Sequence, residues 1–214
     1  MADLSSLLGP VLQGPALQQI SRAIGADEQQ TRTAATAALP LLLGQMQRNA
    51  STPQGAQSLD QALERDHDGG LLDGLLGGGG GLGGLLGGLL GGASGGPAPS
   101  RAADGAGILG HVFGQRQEPA AEGVARAAGL DRGQALKLMA MLAPLVMAWL
   151  GRQKRQQGVG PGDLAGLLGG ASQQARQQAP AGVLGALGGL LDRDGDGDFK
   201  DDLLGQVGGL LGGR

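Results

Sequence analysis

Cysteine and tyrosine are both absent from this chain of 214 residues. The lack of thiols excludes disulfides, zinc-thiolate sites, iron–sulfur clusters and cysteine nucleophiles. Other aromatic residues are also rare, since the chain has two Phe and one Trp. A hydrophobic core must therefore be built from Leu, Ala, Val and Met, and we expect such a core to be helical.

Histidine is scarce too, with two residues, His67 and His111. A nucleophile triad, a zinc site or an acid/base pair needs side chains of which this chain has very few. We interpret His67 as a spacer that points to solvent and His111 as a packed or surface residue. The sequence therefore favours a nonenzymatic protein, whereas an enzyme of unfamiliar type would require a polar pocket between helical units.

Charge and hydropathy limit the partners and the location. The net charge of −3 argues against nonspecific binding to nucleic acid. Asp3 stands where a signal peptide has basic residues, and Gly9 and Pro10 interrupt the apolar run, so we expect a cytoplasmic location and leave export without a signal open. The longest apolar run, residues 138–150, contains a proline and is shorter than the roughly twenty residues that span a bilayer, which predicts a core helix and no transmembrane segment.

Glycine is abundant but unevenly placed. The chain has 46 Gly, and 16 of them fall in the 28 residues 69–96. Each glycine costs a helix about 0.8–1 kcal/mol relative to alanine, so we predict that residues 74–104 are a Gly/Leu-rich, largely disordered linker. Its leucine pairs share one helical face, and the alternative is that they fold on a membrane surface or on another copy of the chain.

Six carboxylates lie within residues 192–202, near the C-terminus. The first three alternate along the chain and are followed by Gly197, as at positions one, three, five and six of an EF-hand calcium loop. The twelfth position is Leu203 rather than Glu, which predicts a shortened loop; a solvated acidic turn is the alternative. The candidate calcium ligands are Asp192, Asp194, Asp196, Asp198, Asp201 and Asp202.

The same pattern occurs earlier in the chain, where carboxylates again alternate and Gly69 follows in the sixth position. The spacing to the second motif is a constant 128 residues. Leucine pairs follow each motif. This recurrence favours a second calcium loop, whose candidate ligands are Glu64, Asp66, Asp68 and Asp73.

The helical segments that precede the two motifs are also related. Matching residues recur at an offset of 104, which indicates an internal duplication. The matches are Ile20 with Val124, Arg22 with Arg126, Gly25 with Gly129, Asp27 with Asp131, Gln30 with Gln134 and Pro40 with Pro144.

Local signals place the helix boundaries. Asp27 with Gln30 has the spacing of a capping box, and Ser58 with Gln61 suggests a further helix start. Pro40 lies within an apolar helical pattern, so that segment is either a bent helix or two short helices.

The basic cluster of Arg152, Lys154 and Arg155 is interpreted as a helix C-terminus. The only Trp, Trp149, is predicted to lie in the core.

Together these patterns predict an all-α protein made of two related small helical-bundle units joined by a flexible Gly/Leu-rich linker. The first unit spans residues 1–73 and ends in an acidic loop. Residues 74–104 are the linker. Residues 105–214 form the second unit, with its own calcium-like loop and a short C-terminal helix.

The order of these pieces resembles the bacterial domain-of-unknown-function 937 family. The resemblance implies duplicated helical domains and supplies no established activity. Glu64 stands where the family pattern favours Asp. The segments that carry the resemblance are residues 63–69, 107–114, 142–147 and 192–202.

On these grounds we expect a nonenzymatic bacterial protein that binds Ca²⁺ and has a structural or interaction role. A protein partner or self-association is expected, and nucleic acid is not. The alternative is a membrane-surface or self-assembling protein that uses the Leu-Leu-Gly repeats, with peripheral membrane contact.

Overall fold

The computed structural model describes residues 14–65 and 104–179, together with Gly9 and Leu12. These residues are almost entirely helical and include no strand, which confirms the all-α prediction. The helices are α1 Gly14–Ile24, α2 Glu28–Ala50, α3 Pro53–Arg65, α4 Gly105–Phe113, α5 Gln117–Ala128, α6 Arg132–Gln157 and α7 Leu164–Gln178, with 3-10 turns at Gly114–Arg116 and Pro161–Asp163.

The two longest helices, α2 and α6, form the centre of the fold. Every residue from 138 to 150 is buried, including Trp149 at 1% exposure, as predicted for a core helix. Helix α6 is long and apolar enough to cross a membrane, but 78% of its most apolar window is buried inside the protein. Its hydrophobicity is therefore accounted for by the core.

The described residues on both sides of the predicted linker contribute to one hydrophobic core. Leu42 from α2, Val124 from α5 and Leu168 from α7 belong to the same buried cluster. The arrangement as two separate bundle units is therefore not confirmed. Burial of Leu and Ala from every helix against this shared core is the main stabilising term, because apolar area removed from water contributes about 25 cal/mol per Å².

The predicted capping boxes are present at the start of both long helices. Asp27 accepts a hydrogen bond from the Gln30 backbone N–H at 2.7 Å, and Asp131 accepts one from Gln134 at 2.8 Å. Each glutamine side chain accepts in return from the backbone N–H of its aspartate. These bonds satisfy N–H groups that a helix start leaves without partners.

Two boundary predictions are revised by the structure. Helix α2 continues through Pro40 from Glu28 to Ala50, so the segment is not divided into two short helices. Ser58 lies inside α3, and its predicted role as a cap is wrong. The helix begins instead at Pro53, which needs no hydrogen-bond acceptor, and the Thr52 hydroxyl accepts from the Gly55 N–H at 3.1 Å.

The helices that precede the two acidic motifs, α3 and α7, pack against different neighbours. Helix α7 packs mainly against α2, whereas α3 contacts α2, α6 and the turn Pro161–Asp163. Helix α4 lies against α6, where Gly105 approaches the carbonyl oxygen of Ala140 too closely to admit a side chain. These contacts position the side chains of the sites described below.

Candidate functional site

Of the ten predicted calcium ligands, Glu64 lies within the described residues. It is in the last turn of α3, which ends at Arg65. The other nine fall outside the described ranges: Asp66, Asp68, Asp73, Asp192, Asp194, Asp196, Asp198, Asp201 and Asp202.

Glu64 belongs to a cluster of three charged side chains that joins α3 to α6. The Lys154 ammonium lies 2.8 Å from Glu64 Oε1 and 2.5 Å from Asp60 Oδ1. Asp60 and Lys154 are each 13% exposed, whereas Glu64 is 65% exposed. Lys154 therefore makes one inner ion pair shielded from water and one outer pair at the surface.

The cluster changes the proton affinity of two of its members. Burial alone would lower the pKa of Lys154, but its hydrogen bonds and charge interactions with Asp60 and Glu64 outweigh this effect and raise the pKa above 10.5. The hydrogen bond from Lys154, helped by its charge, lowers the pKa of Glu64 below 4.5. Both shifts favour the charged forms.

Sequence patterns identified only part of this cluster. Lys154 lies in the last turn of α6, as predicted from the basic cluster, but its contacts with α3 were not foreseen. Asp60 and Glu64 are four residues apart and so share one face of α3. That spacing was the available signal, although it does not identify a partner 90 residues away.

A second set of contacts joins each capping box to the glycine that follows a helix of the other segment. The Gln30 side-chain amide donates to the carbonyl oxygen of Gly129 at 3.0 Å, and the Gln134 amide donates to that of Gly25 at 2.8 Å. Both glycines have positive φ, 73° at Gly25 and 67° at Gly129, which ends the preceding helix. Each glutamine thus serves the start of one helix and the end of another.

A pocket lined by three arginines opens where α2 meets α7 and the turn between α4 and α5. Its volume is about 40 Å³. We name it the arginine pocket; its lining consists of Pro40, Leu41, Gly44, Gln45, Arg48, Phe113, Arg116, Ala120 and Arg176. No acidic residue is among these described lining residues, and three of the nine are arginines.

Arg176 differs from the two other arginines of the pocket because it is partly buried, whereas Arg48 and Arg116 are exposed. Its Nε atom is buried and has no hydrogen-bond partner among the described residues. Burial lowers the pKa of the Arg176 guanidinium below its ordinary value of 12.5. A buried donor without an acceptor is costly, so the position calls for an explanation.

Other sequence candidates have simpler environments. His111 is exposed on α4, in agreement with its interpretation as a packed or surface residue, and His67 lies outside the described ranges. Within residues 14–65 and 104–179, no three His, Asp or Glu side chains come together as a metal-binding group. The calcium prediction therefore rests on acidic residues that, except for Glu64, lie outside these ranges.

Comparison with known proteins identifies one family. The family model described as a bacterial protein of unknown function, DUF937, matches residues 6–153. No curated protein and no solved structure matches the chain.

Proposed function

The chain belongs to the DUF937 family of bacterial proteins of unknown function, so its role has to be inferred from its own residues, and we propose that it is a nonenzymatic calcium-binding structural or interaction protein. The helical core acts as a scaffold that presents two acidic loops. The expected ligands are the carboxylates of the two motifs given above.

The observation that carries this proposal is that the first acidic motif begins on a helix of the core. An EF-hand loop follows directly from a helix, and its first ligand stands at that junction. Glu64, the first acidic position of the first motif, lies on α3. Leu63, next to Glu64, is 1% exposed, so the core holds the helix at the residue before the motif.

The two loops are proposed to differ in affinity because of Lys154. Its ammonium already pairs with Glu64, and a calcium ion at the first loop must compete with it for the carboxylate. The second loop has six carboxylates in residues 192–202. Neither motif has Glu at its twelfth position, so we expect dissociation constants on the order of 10⁻⁴ to 10⁻³ M, with tighter binding at the second loop.

The reciprocal bonds of Gln30 and Gln134 support a duplicated origin for the two segments. We propose that α1–α3 and α5–α7 are related units that exchange contacts across the shared core. The equivalent capping boxes and the equivalent left-handed glycines favour this arrangement. In this arrangement one acidic loop follows α3, the third helix of the first unit, and the other follows α7, the third helix of the second unit.

Calorimetry tests the calcium proposal. Calcium chloride is titrated into the full chain, into Asp192→Asn/Asp194→Asn and into Asp66→Asn/Asp68→Asn. The first double variant should lose the tighter binding heat and the second the weaker one. Removal of calcium with a chelator should reverse any calcium-dependent gain in helicity, because binding and ordering of the loop are expected to be one event.

The matched control is Glu118→Gln/Glu122→Gln, which removes two carboxylates from α5 that pair with arginines instead. This control should bind calcium as the unmodified chain does. No binding heat for the unmodified chain at millimolar calcium, or equal loss in the control, would contradict the proposal.

A membrane-surface or self-assembling role remains the alternative proposal. It depends on the Leu-Leu-Gly pattern of the predicted linker, which lies outside the described residues. Co-sedimentation with liposomes, for the full chain and for a chain lacking residues 77–95, distinguishes this role, because only the full chain should bind.

A further inference from the structure

We propose that the arginine pocket binds a phosphoryl group. Three guanidinium groups, from Arg48, Arg116 and Arg176, line one small pocket that has no acid in its described lining. Guanidinium is the side chain best suited to phosphate, because its fork of N–H donors matches the oxygens of the anion. None of the lining residues belongs to either acidic motif.

The unpartnered Nε of Arg176 is the first argument for a ligand. Its atom is buried, and no acceptor among the described residues satisfies it. Burying a charged donor without a partner destabilises a fold, so such a group is retained when something else needs it. An anionic oxygen that enters the pocket would supply both the missing acceptor and the missing counter-charge.

The size and walls of the pocket are the second argument. A pocket volume of about 10–15 Å³ is enough to hold one water molecule. A pocket of 40 Å³ therefore has room for an oxyanion of a few heavy atoms and not for a large ligand. Leu41, Phe113 and Ala120 are buried apolar residues of the wall. Apolar walls lower the local dielectric constant and strengthen the attraction between the arginines and an anion.

The third argument comes from the equivalent place on the other long helix. Gly44 and Gln45 of the pocket correspond, at the offset of 104, to Ala148 and Trp149. Both Ala148 and Trp149 are buried, at 0% and 1% exposure, so this face of α6 is filled by core side chains. On α2, Gly44 is also buried but has no side chain and Gln45 is partly buried, so α2 leaves space at the positions where α6 places Ala148 and Trp149.

A phosphoryl group is favoured over a single carboxylate because its additional oxygens can accept hydrogen bonds from more than one guanidinium group of the lining. The group could belong to free phosphate, to a soluble phosphate ester or to a lipid headgroup. We therefore use two probes, potassium phosphate and phosphatidylcholine vesicles containing phosphatidic acid. Binding of phosphate identifies a soluble ligand, and binding of the vesicles without binding of free phosphate identifies a lipid.

The experiment compares the full chain with Arg176→Met, which keeps most of the side-chain volume and removes the charge. Binding is measured by calorimetry for phosphate and by co-sedimentation for vesicles, at one ionic strength set with potassium chloride. We expect Arg176→Met to weaken binding by about tenfold or more, since it removes a charge-assisted contact. Without ligand, its melting temperature should equal or exceed that of the unmodified chain.

Arg22→Met is the matched control, because it removes an exposed arginine from α1, away from the pocket. Arg116→Met, in the exposed turn, should weaken binding without disturbing the fold and serves if Arg176→Met does not fold. Equal binding by the control and the pocket variants would overturn the proposal. So would the absence of binding to both probes, or a preference for an acidic peptide over either phosphoryl probe.

Discussion

At the scale of single residues, Lys154 shows how one charge can hold two carboxylates. It is as buried as its inner partner, Asp60, while its outer partner, Glu64, is mostly exposed to water. Surface ion pairs contribute little to stability, so the contact with Glu64 is not expected to matter much for folding. The inner pair matters because either partner alone would be a charge shielded from solvent.

Replacing Lys154 with Met should therefore destabilise the protein by about 1–3 kcal/mol, because Asp60 is left without its partner. The matched control is Lys137→Met, which removes the same charge from an exposed position of the same helix. Urea unfolding monitored by circular dichroism measures the difference. A Glu64→Gln variant should shift the midpoint less than Lys154→Met, and the reverse order would contradict this account of the cluster.

The stability provided by Lys154 should depend on pH at the alkaline end. Its pKa in the folded protein is above 10.5, so its contribution is complete below that pH and is lost as the pH rises through the folded-state pKa. The difference in unfolding free energy between the unmodified chain and Lys154→Met should stay constant from about pH 6 to pH 9 and shrink above 10.5. No thiol or phenol complicates this range, since the chain has no Cys and no Tyr.

At the acid end the sign is opposite. The pKa of Glu64 lies below 4.5 in the folded protein, so its contribution is present above that pH and is lost as the pH falls. In the same pH series, the unfolding free energies of the unmodified chain and of Glu64→Gln should differ slightly at neutral and mildly alkaline pH, up to about 10.5, and should become equal in acid. A difference that grows in acid would contradict the ion pair.

At the scale of helices, Gln30 and Gln134 each have two roles. Each side chain accepts from the N-cap backbone of its own helix and donates to the glycine carbonyl that ends a helix of the other segment. Each glutamine therefore links the N-terminus of its own helix to the C-terminus of a helix from the other segment.

We expect Gln30→Ala and Gln134→Ala each to cost about 1 kcal/mol, because each removes half of a capping box and one hydrogen bond between segments. Gln29→Ala, at an exposed neighbouring position, should have little effect. Thermal unfolding of the three variants tests this. If one of the two capping variants were as stable as the control, the reciprocal contacts would not be energetically equivalent.

Two glycines of α4 are expected to respond in opposite directions. A methyl group on Gly105 would overlap the carbonyl oxygen of Ala140, so Gly105→Ala should push α4 from α6 and cost about 1–3 kcal/mol. A methyl group on Gly110 meets nothing within 4 Å, so Gly110→Ala should stabilise the helix by about 0.5–1 kcal/mol. Denaturant unfolding of both variants tests this close approach; equal effects would contradict it.

At the scale of the whole molecule, helices from both sides of the predicted linker build a single core. We expect deletion of residues 77–95 to leave helicity and melting temperature nearly unchanged, because glycine supplies no side chain for a packed core. A melting temperature lower by more than about 5 °C, on the order of 1 kcal/mol or more, would show that the leucines of this tract are packed. Circular dichroism during heating measures both quantities.

The amino-acid sequence alone determined the features that depend on short spacings. Asp27 and Gln30 meet because three residues make nearly one helical turn, and residues 138–150 are buried because a long apolar run is most stable when it is removed from water. The helical class follows from the same local signals. Even so, the competing start at Pro53 was missed, since Ser58 has an equally good cap spacing.

Tertiary structure decided which distant residues meet. Lys154 reaches Asp60 and Glu64, and the three pocket arginines come from α2, the turn after α4, and α7. Their separation along the chain carries no information about distance, because it is the packing of α7 on α2 and of α3 on α6 that brings them together. The identity of a charged residue does not show whether its side chain faces water or a partner, because the packing of the helices decides its surroundings.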